Sequence, residues 1–154
     1  MDVLGPTGAL AGAIPHYEDR AEQRLMSAAV ERALADERPL IVEAGTGTGK
    51  TLAYLIPALQ SGKRVVVSTG TRALQDQIAR HDVPLLRTIV GRPFSVVVLK
   101  GVNNYLCRRK LAEAVSRKPT DGTLQAITSW TTETATGDRA EPDWLAGDAP
   151  VWRG

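Results

Sequence analysis

Ala44-Gly45-Thr46-Gly47-Thr48-Gly49-Lys50-Thr51 sets three glycines at alternate positions ahead of a lysine and a hydroxyl. Each residue type has a task that its neighbours could not perform. Glycines let the chain wrap tightly enough for successive backbone N–H groups to face one anion, and a helix opening at the lysine adds its N-terminal partial positive charge. The Lys50 ammonium reaches β- and γ-phosphates, and the Thr51 hydroxyl can ligate Mg²⁺. The run fits the Walker A pattern, with Ala44 in place of the usual first glycine, and predicts a site for a nucleoside triphosphate. A glycine-rich turn that happens to precede a lysine carries the same letters. What separates the two is the setting, a strand before and a helix after.

That setting is written in the flanking residues. Leu40-Ile41-Val42 is a short apolar run before the glycines, and Thr51 to Gln60 has helical character with Pro57 as a kink or early end. From Arg20 to Arg38, apolar residues fall at Leu25, Met26, Ala29, Val30, Ala33 and Leu34, a helical spacing that Pro39 ends. Val65-Val66-Val67 and Phe94 to Leu99 read as two further buried strands, Arg72 to Arg80 and Asn104 to Val115 as two further helices. Nearly all-apolar strands alternating with helices predict an α/β fold with a parallel β-sheet flanked by helices. Residues 1–16 are Gly/Ala/Pro-rich and aperiodic, expected as a flexible arm. Beyond Pro119, Thr123 to Trp130 has helical spacing and Thr131 to Ala149 is turn-rich. The final Pro-Val-Trp-Arg-Gly, with no cap or charged tail, is expected to be a cut rather than a finished C-terminus.

Composition sets the outer limits. The 154 residues are 43% hydrophobic, 23% charged and 5% aromatic, so the core must be aliphatic and about one domain in size. One cysteine excludes an internal disulfide and any site needing two thiolates from this chain. No apolar run approaches a membrane span, and no basic residue precedes Arg20, so a cytoplasmic location is expected. The formal charge of +2 names no partner, but its distribution does: −3 over residues 1–60, +9 over 61–118 and −4 over 119–154. A basic middle of this size suits a phosphate-backbone partner, as it also suits a solvated basic face. His16 and His81 lack metal-ligand spacing, and Trp130, Trp144 and Trp152 fit anchors of the least regular segment better than base-stacking platforms.

Arg20 and Gln23 ahead of Glu-Ala-Gly-Thr-Gly-Thr-Gly-Lys-Thr, then VVVSTGTRALQDQI, then VLKGVNNYLC, together resemble the first motor domain of DinG/XPD-like superfamily 2 DNA helicases. The resemblance runs from about Tyr17 to about Cys107. It implies a partial RecA-like P-loop NTPase domain over 17–118, with 119–154 as the start of an inserted region. By the same resemblance Gln23 hydrogen-bonds adenine, with Arg20 beside it. Residues 44–51 (Ala44, Gly45, Thr46, Gly47, Thr48, Gly49, Lys50 and Thr51) hold ATP and Mg²⁺, Lys50 and Thr51 catalytically. Thr69, Thr71 and Gln75 match the motif that touches the backbone of the tracking strand. Backbone contacts carry no base information, so single-stranded or forked DNA is the expected partner by resemblance while RNA satisfies the same chemistry. Thr69 also suits a helix N-cap. Cys107 matches the first of four cysteines that hold a 4Fe-4S cluster in many members; four thiolates are needed, so only a longer parent could carry one.

Hydrolysis further needs an acidic residue on a later strand. Asp36-Glu37 precedes the loop at a helix end, and no Asp or Glu follows Val65–Val67 or Phe94–Leu99. The expected function is therefore the ATP-binding portion of a DNA helicase. The alternatives are another P-loop enzyme, such as a small-molecule kinase, and a nucleotide-binding module without catalysis.

Overall fold

A computed structural model describes residues 3–145, which form two compact units, one up to Val98 and one from Leu99 onward. In the first unit, α1 (Ala9–Ala13), α2 (Ala21–Asp36), α3 (Lys50–Gln60), α4 (Arg72–Gln77) and α5 (Val83–Ile89) surround an aliphatic core. Leu55 and Ile56 of α3 meet Leu86 and Ile89 of α5 there. The Gly/Ala/Pro-rich start also contributes: Val3, Leu4 and Leu10 are buried in the same core, and Tyr17 donates from its hydroxyl to the Leu4 carbonyl at 2.5 Å. Aperiodic small residues gave no signal for that packing, because α1 has little more than one turn.

Helix α3 runs through Pro57 to Gln60 rather than ending at it, with Pro57 itself buried. A second proline has the stronger effect. Pro84 cannot donate within a helix, and its ring crowds the carbonyl four residues earlier. The chain responds with a π-helical turn at Ile78–Asp82, in which the Val83 N–H reaches back to Ile78 O. Helices α4 and α5 are thus joined through a widened turn.

The second unit is built on α6 (Arg108–Arg117) and α7 (Gly122–Trp130). Leu111 packs with Leu124, Ile127, Trp130 and Leu145, which makes Trp130 an anchor of the core. The Asp121 carboxylate accepts from the Thr123 and Leu124 N–H groups and so starts α7. Trp144 is half exposed, and Trp152 lies outside the described residues.

The expected parallel sheet is not formed. Among the described residues the β pairing is an isolated antiparallel bridge between Tyr105 and Asp138. The three apolar runs instead stand partly in water: Ile41 is 98% exposed, Val66 90% and Val97 80%, each beside less exposed apolar neighbours. That alternation is strand-like, but no ladder accompanies it. An apolar run encodes a need for burial on two faces. A strand exists only when neighbouring chain accepts its N–H and C=O groups, and nothing in a three-residue run supplies that neighbour. The α/β, RecA-like sheet expectation is therefore corrected to a helical arrangement of the described residues.

Candidate nucleotide site

Helix α3 begins at Lys50, and the residues before it form a loop held from both ends. Gly47 and Gly49 take left-handed conformations, with φ of 79° and 76°. Only glycine enters that region without a Cβ penalty, so two of the three glycines are explained by backbone alone. Gly49 has a second reason. A Cβ there would lie 2.0 Å from the Gln23 Nε2 atom. Helix α3 has no side-chain cap at its N-terminus, so no side chain takes up its first-turn N–H groups.

Three cationic or amide side chains hold the loop's carbonyls. Gln23, 5% exposed, donates from Nε2 to Gly49 O at 3.0 Å. Arg20 donates from Nη1 to Gly47 O at 2.5 Å while its Nη2 pairs with the Glu18 carboxylate at 2.7 Å. Lys50 lies across the loop, its ammonium donating to Ala44 O at 2.9 Å and Gly45 O at 2.5 Å. Thr48 closes the turn by donating to Gly45 O at 3.0 Å. Thr46 is exposed at the loop's tip. The resemblance gives Gln23 an adenine and sets Arg20 beside it; in the structure both side chains reach the loop backbone, a contact that sequence spacing does not express. The only advance signal was the glycine at 49, a position whose neighbour leaves no room for a side chain.

Thr51 occupies the second position of α3 and hydrogen-bonds the Tyr54 phenol one turn on. Burial pushes that phenol above its ordinary value, an effect the Thr51 bond opposes and the Asp82 charge adds to. Asp82, at the end of the π-helical turn, has a buried carboxylate oxygen with no partner. Burial raises its pKa, with His81 pulling the other way.

Thr69, Thr71 and Gln75 fall in the same unit as the loop. Thr69 donates from its hydroxyl to Thr71 O at 3.1 Å, and Thr71 accepts from the Leu74 N–H at 3.3 Å as the N-cap of α4. The cap is thus Thr71, not Thr69. Gln75 is half-buried one turn into α4.

Cys107 lies in the second unit, exposed at the N-cap of α6. The Lys110 backbone N–H holds its thiol below the ordinary value, against desolvation and with help from the Arg109 N–H and the Arg109 and Lys110 charges. The residues before it build a rigid approach. Lys100 forms a buried ion pair with Asp138 at 2.7 Å, its backbone N–H donates to the Tyr105 hydroxyl, and the Asn104 amide donates to Gly101 O. Asp138, outside any recognisable motif, was not legible as the partner of Lys100. Among the described residues no three His, Cys, Asp or Glu side chains cluster as a metal site. One thiolate does not satisfy a 4Fe-4S cluster, so Cys107 alone does not fit that group. No helix among the described residues is long and apolar enough to cross a membrane.

Known proteins resemble the chain over the same stretch. It is 41% identical to the ATP-dependent DNA helicase YoaA of Escherichia coli over 157 aligned residues, covering 98% of this chain and 24% of that protein. It is 44% identical to the ATP-dependent DNA helicase DinG of Escherichia coli over 125 residues, covering 77% of this chain and 17% of that one. The 3'-5' exonuclease DinG of Bacillus subtilis is 36% identical over 158 residues, covering 96% of this chain and 17% of its own length. The chain thus spans a quarter or less of the curated relatives it matches. The family model for DEAD/DEAH box helicases matches residues 23–134, from the buried glutamine through the glycine loop to just past the end of α7. With its glycine loop, its loop-gripping Gln23 and that match over most of its length, this chain belongs to the DEAD/DEAH box helicase family.

Proposed function

We propose that this chain is the nucleotide-gripping portion of an ATP-dependent DNA helicase that couples hydrolysis to movement along a single strand. The observation that carries the reading is the loop: two left-handed glycines, an uncapped helix start and Lys50 laid on the loop's own carbonyls. In use, the Lys50 ammonium exchanges its Ala44 and Gly45 carbonyls for β- and γ-phosphate oxygens, a stronger charge-assisted contact. Thr51 offers its hydroxyl to Mg²⁺, which when bound offsets charge on those phosphates. Gln23 uses one N–H on Gly49; its second N–H and its carbonyl are the donor–acceptor pair an adenine edge requires. Arg20, on Gly47, keeps the loop in register.

Thr69, Thr71 and Gln75 are assigned to the backbone of a single-stranded or forked DNA, and the protein's work to the cytoplasm. Cys107 becomes a 4Fe-4S ligand only if a longer parent brings three more thiolates to it. The hydrolytic acid is assigned outside this stretch, since no carboxylate directly follows Val65–Val67 or Phe94–Leu99.

The test measures Mg-ATP binding and phosphate release, with and without single-stranded DNA. It is run on this chain, on its Lys50→Ala variant and on a polypeptide of the relatives' length. The chain is expected to bind Mg-ATP weakly, to lose binding with Lys50→Ala, and to release no phosphate; the longer polypeptide is expected to be stimulated by DNA. Absence of any Mg-ATP binding by the chain overturns the reading. DNA-stimulated release by the chain itself, lost in the variant, would reveal a catalytic acid within these residues and overturn the division of labour.

A further inference from the structure

At the opposite end of α3 from the phosphate loop, Arg87, Gly91, Arg92, Pro93 and Phe94 line a cavity of about 350 Å³. The span of α3 puts the two places about 15 Å apart, too far for one nucleotide's phosphates to serve both. Both arginines are exposed, and both are held in place. The Arg87 guanidinium lies 4.9 Å from the centre of the Phe94 ring and donates to Phe94 O at 3.0 Å. Arg92 donates to Gln60 O at 3.2 Å, and its guanidinium rests on Gly62, where a Cβ would come within 2.7 Å of Nη1. Gly62, at φ 70°, is the residue that permits that approach.

Each guanidinium has five N–H donors, and the described acceptor on each is a single main-chain carbonyl. Among the described residues neither is paired with a carboxylate. The ends of α3 and α5 nearby carry together roughly one negative charge as helix C-termini. Two guanidiniums exceed that, so the cavity keeps a net positive charge and several oriented, unused donors.

We infer that this two-arginine cavity binds a backbone phosphate of a single DNA strand, as a second contact separate from the Thr69, Thr71 and Gln75 motif. The inference rests on the reading of the chain as part of a DNA helicase. A free anion gains little from exposed guanidiniums in water, whereas a strand adds the release of its condensed counterions and threads an open cavity without being enclosed. The cavity also lies within residues 61–118, the part of the chain with a charge of +9.

The test is equilibrium binding of a fluorescein-labelled oligothymidylate to the whole chain over a KCl series. The Arg87→Gln/Arg92→Gln variant is expected to bind severalfold more weakly at low salt. Its plot of log affinity against log salt should be shallower by about 0.7, the value for one single-strand phosphate contact. Arg87→Lys/Arg92→Lys keeps both charges and should recover most of the slope. If the lysine variant loses as much as the glutamine variant, the loss comes from packing and the inference fails. If the glutamine variant binds like the parent, the inference fails while the helicase reading stands. If the parent chain binds Mg-ATP but no oligothymidylate, the DNA part of that reading fails with it. Displacement of the strand by inorganic phosphate beyond an ionic-strength-matched chloride control would make the cavity a free-anion site and overturn the strand assignment.

Discussion

Residues 40–42 and 44–51 are adjacent in the chain and differ sharply in how far their structure is complete. The glycine loop is held by four side-chain donors, Arg20, Gln23, Thr48 and Lys50, and the helix after it is buried against the core. The apolar run just before it leaves Ile41 almost fully in water. The difference lies in where the partners come from. The loop draws on Gln23 in the first turn of α2, on Arg20 just before that helix and on Lys50 at the start of α3. A strand has no such internal supply, because every second backbone group must be met by another strand. Local elements can therefore be finished while the run that belongs beside them is not.

The largest expected effect comes from breaking the finished half. Gly49→Ala puts a Cβ onto Gln23 and forces a left-handed alanine. Handedness and a displaced buried amide together are expected to cost about 2–4 kcal/mol. Thermal denaturation should register the loss, with nucleotide affinity falling in parallel. In a Gln23→Ala background the collision is gone and only the backbone term remains, so the same substitution should cost less. Equal costs in both backgrounds would mean that Gln23 does not define the loop.

An intermediate effect is expected in the unfinished half. Ile41→Thr, Val66→Thr and Val97→Thr together remove the three most water-exposed residues of the apolar runs, which are templates for association. Light scattering against concentration should show less self-association, with Mg-ATP affinity unchanged. A loss of nucleotide binding would show that the runs already support the loop, and the contrast drawn above would dissolve.

The smallest effect concerns a flaw within the finished half. Burial raises the Asp82 carboxyl above its ordinary 3.8, so the folded chain holds this proton more tightly than the unfolded one. Its contribution to stability is full below that ordinary value and is lost as pH rises through the raised one. Asp82→Asn should therefore match the parent in acid and exceed it at neutral pH. A denaturation midpoint that falls at neutral pH in the variant would show the carboxylate to have a partner after all.

Legibility followed the same division. The loop, Lys50, Thr51 and helix α3 were readable because their signals are contiguous and each rests on backbone geometry or charge. Arg72 to Arg80 read as one helix, whereas α4 ends at Gln77 and passes into the widened turn, whose form depended on how the chain relieved the crowded carbonyl. Leu25, counted among the apolar residues of α2, is 71% exposed, because helical spacing does not say which face meets a neighbour. Asp138 as the counter-ion of Lys100 was invisible, since a buried ion pair 38 residues apart leaves no periodicity.

By itself the amino-acid order determined a glycine-rich loop, the helix it opens, the basic middle of the chain and the family it belongs to. These depend on residue type and short spacing, which survive whatever the rest of the chain does. Tertiary structure decided that Arg20 and Gln23 grip the loop, that Arg87 and Arg92 share a cavity, and that the apolar runs stand without a ladder. Each of those depends on which distant groups arrive at hydrogen-bonding distance, and hydrogen bonds and strand pairs are energies of position that no local pattern specifies.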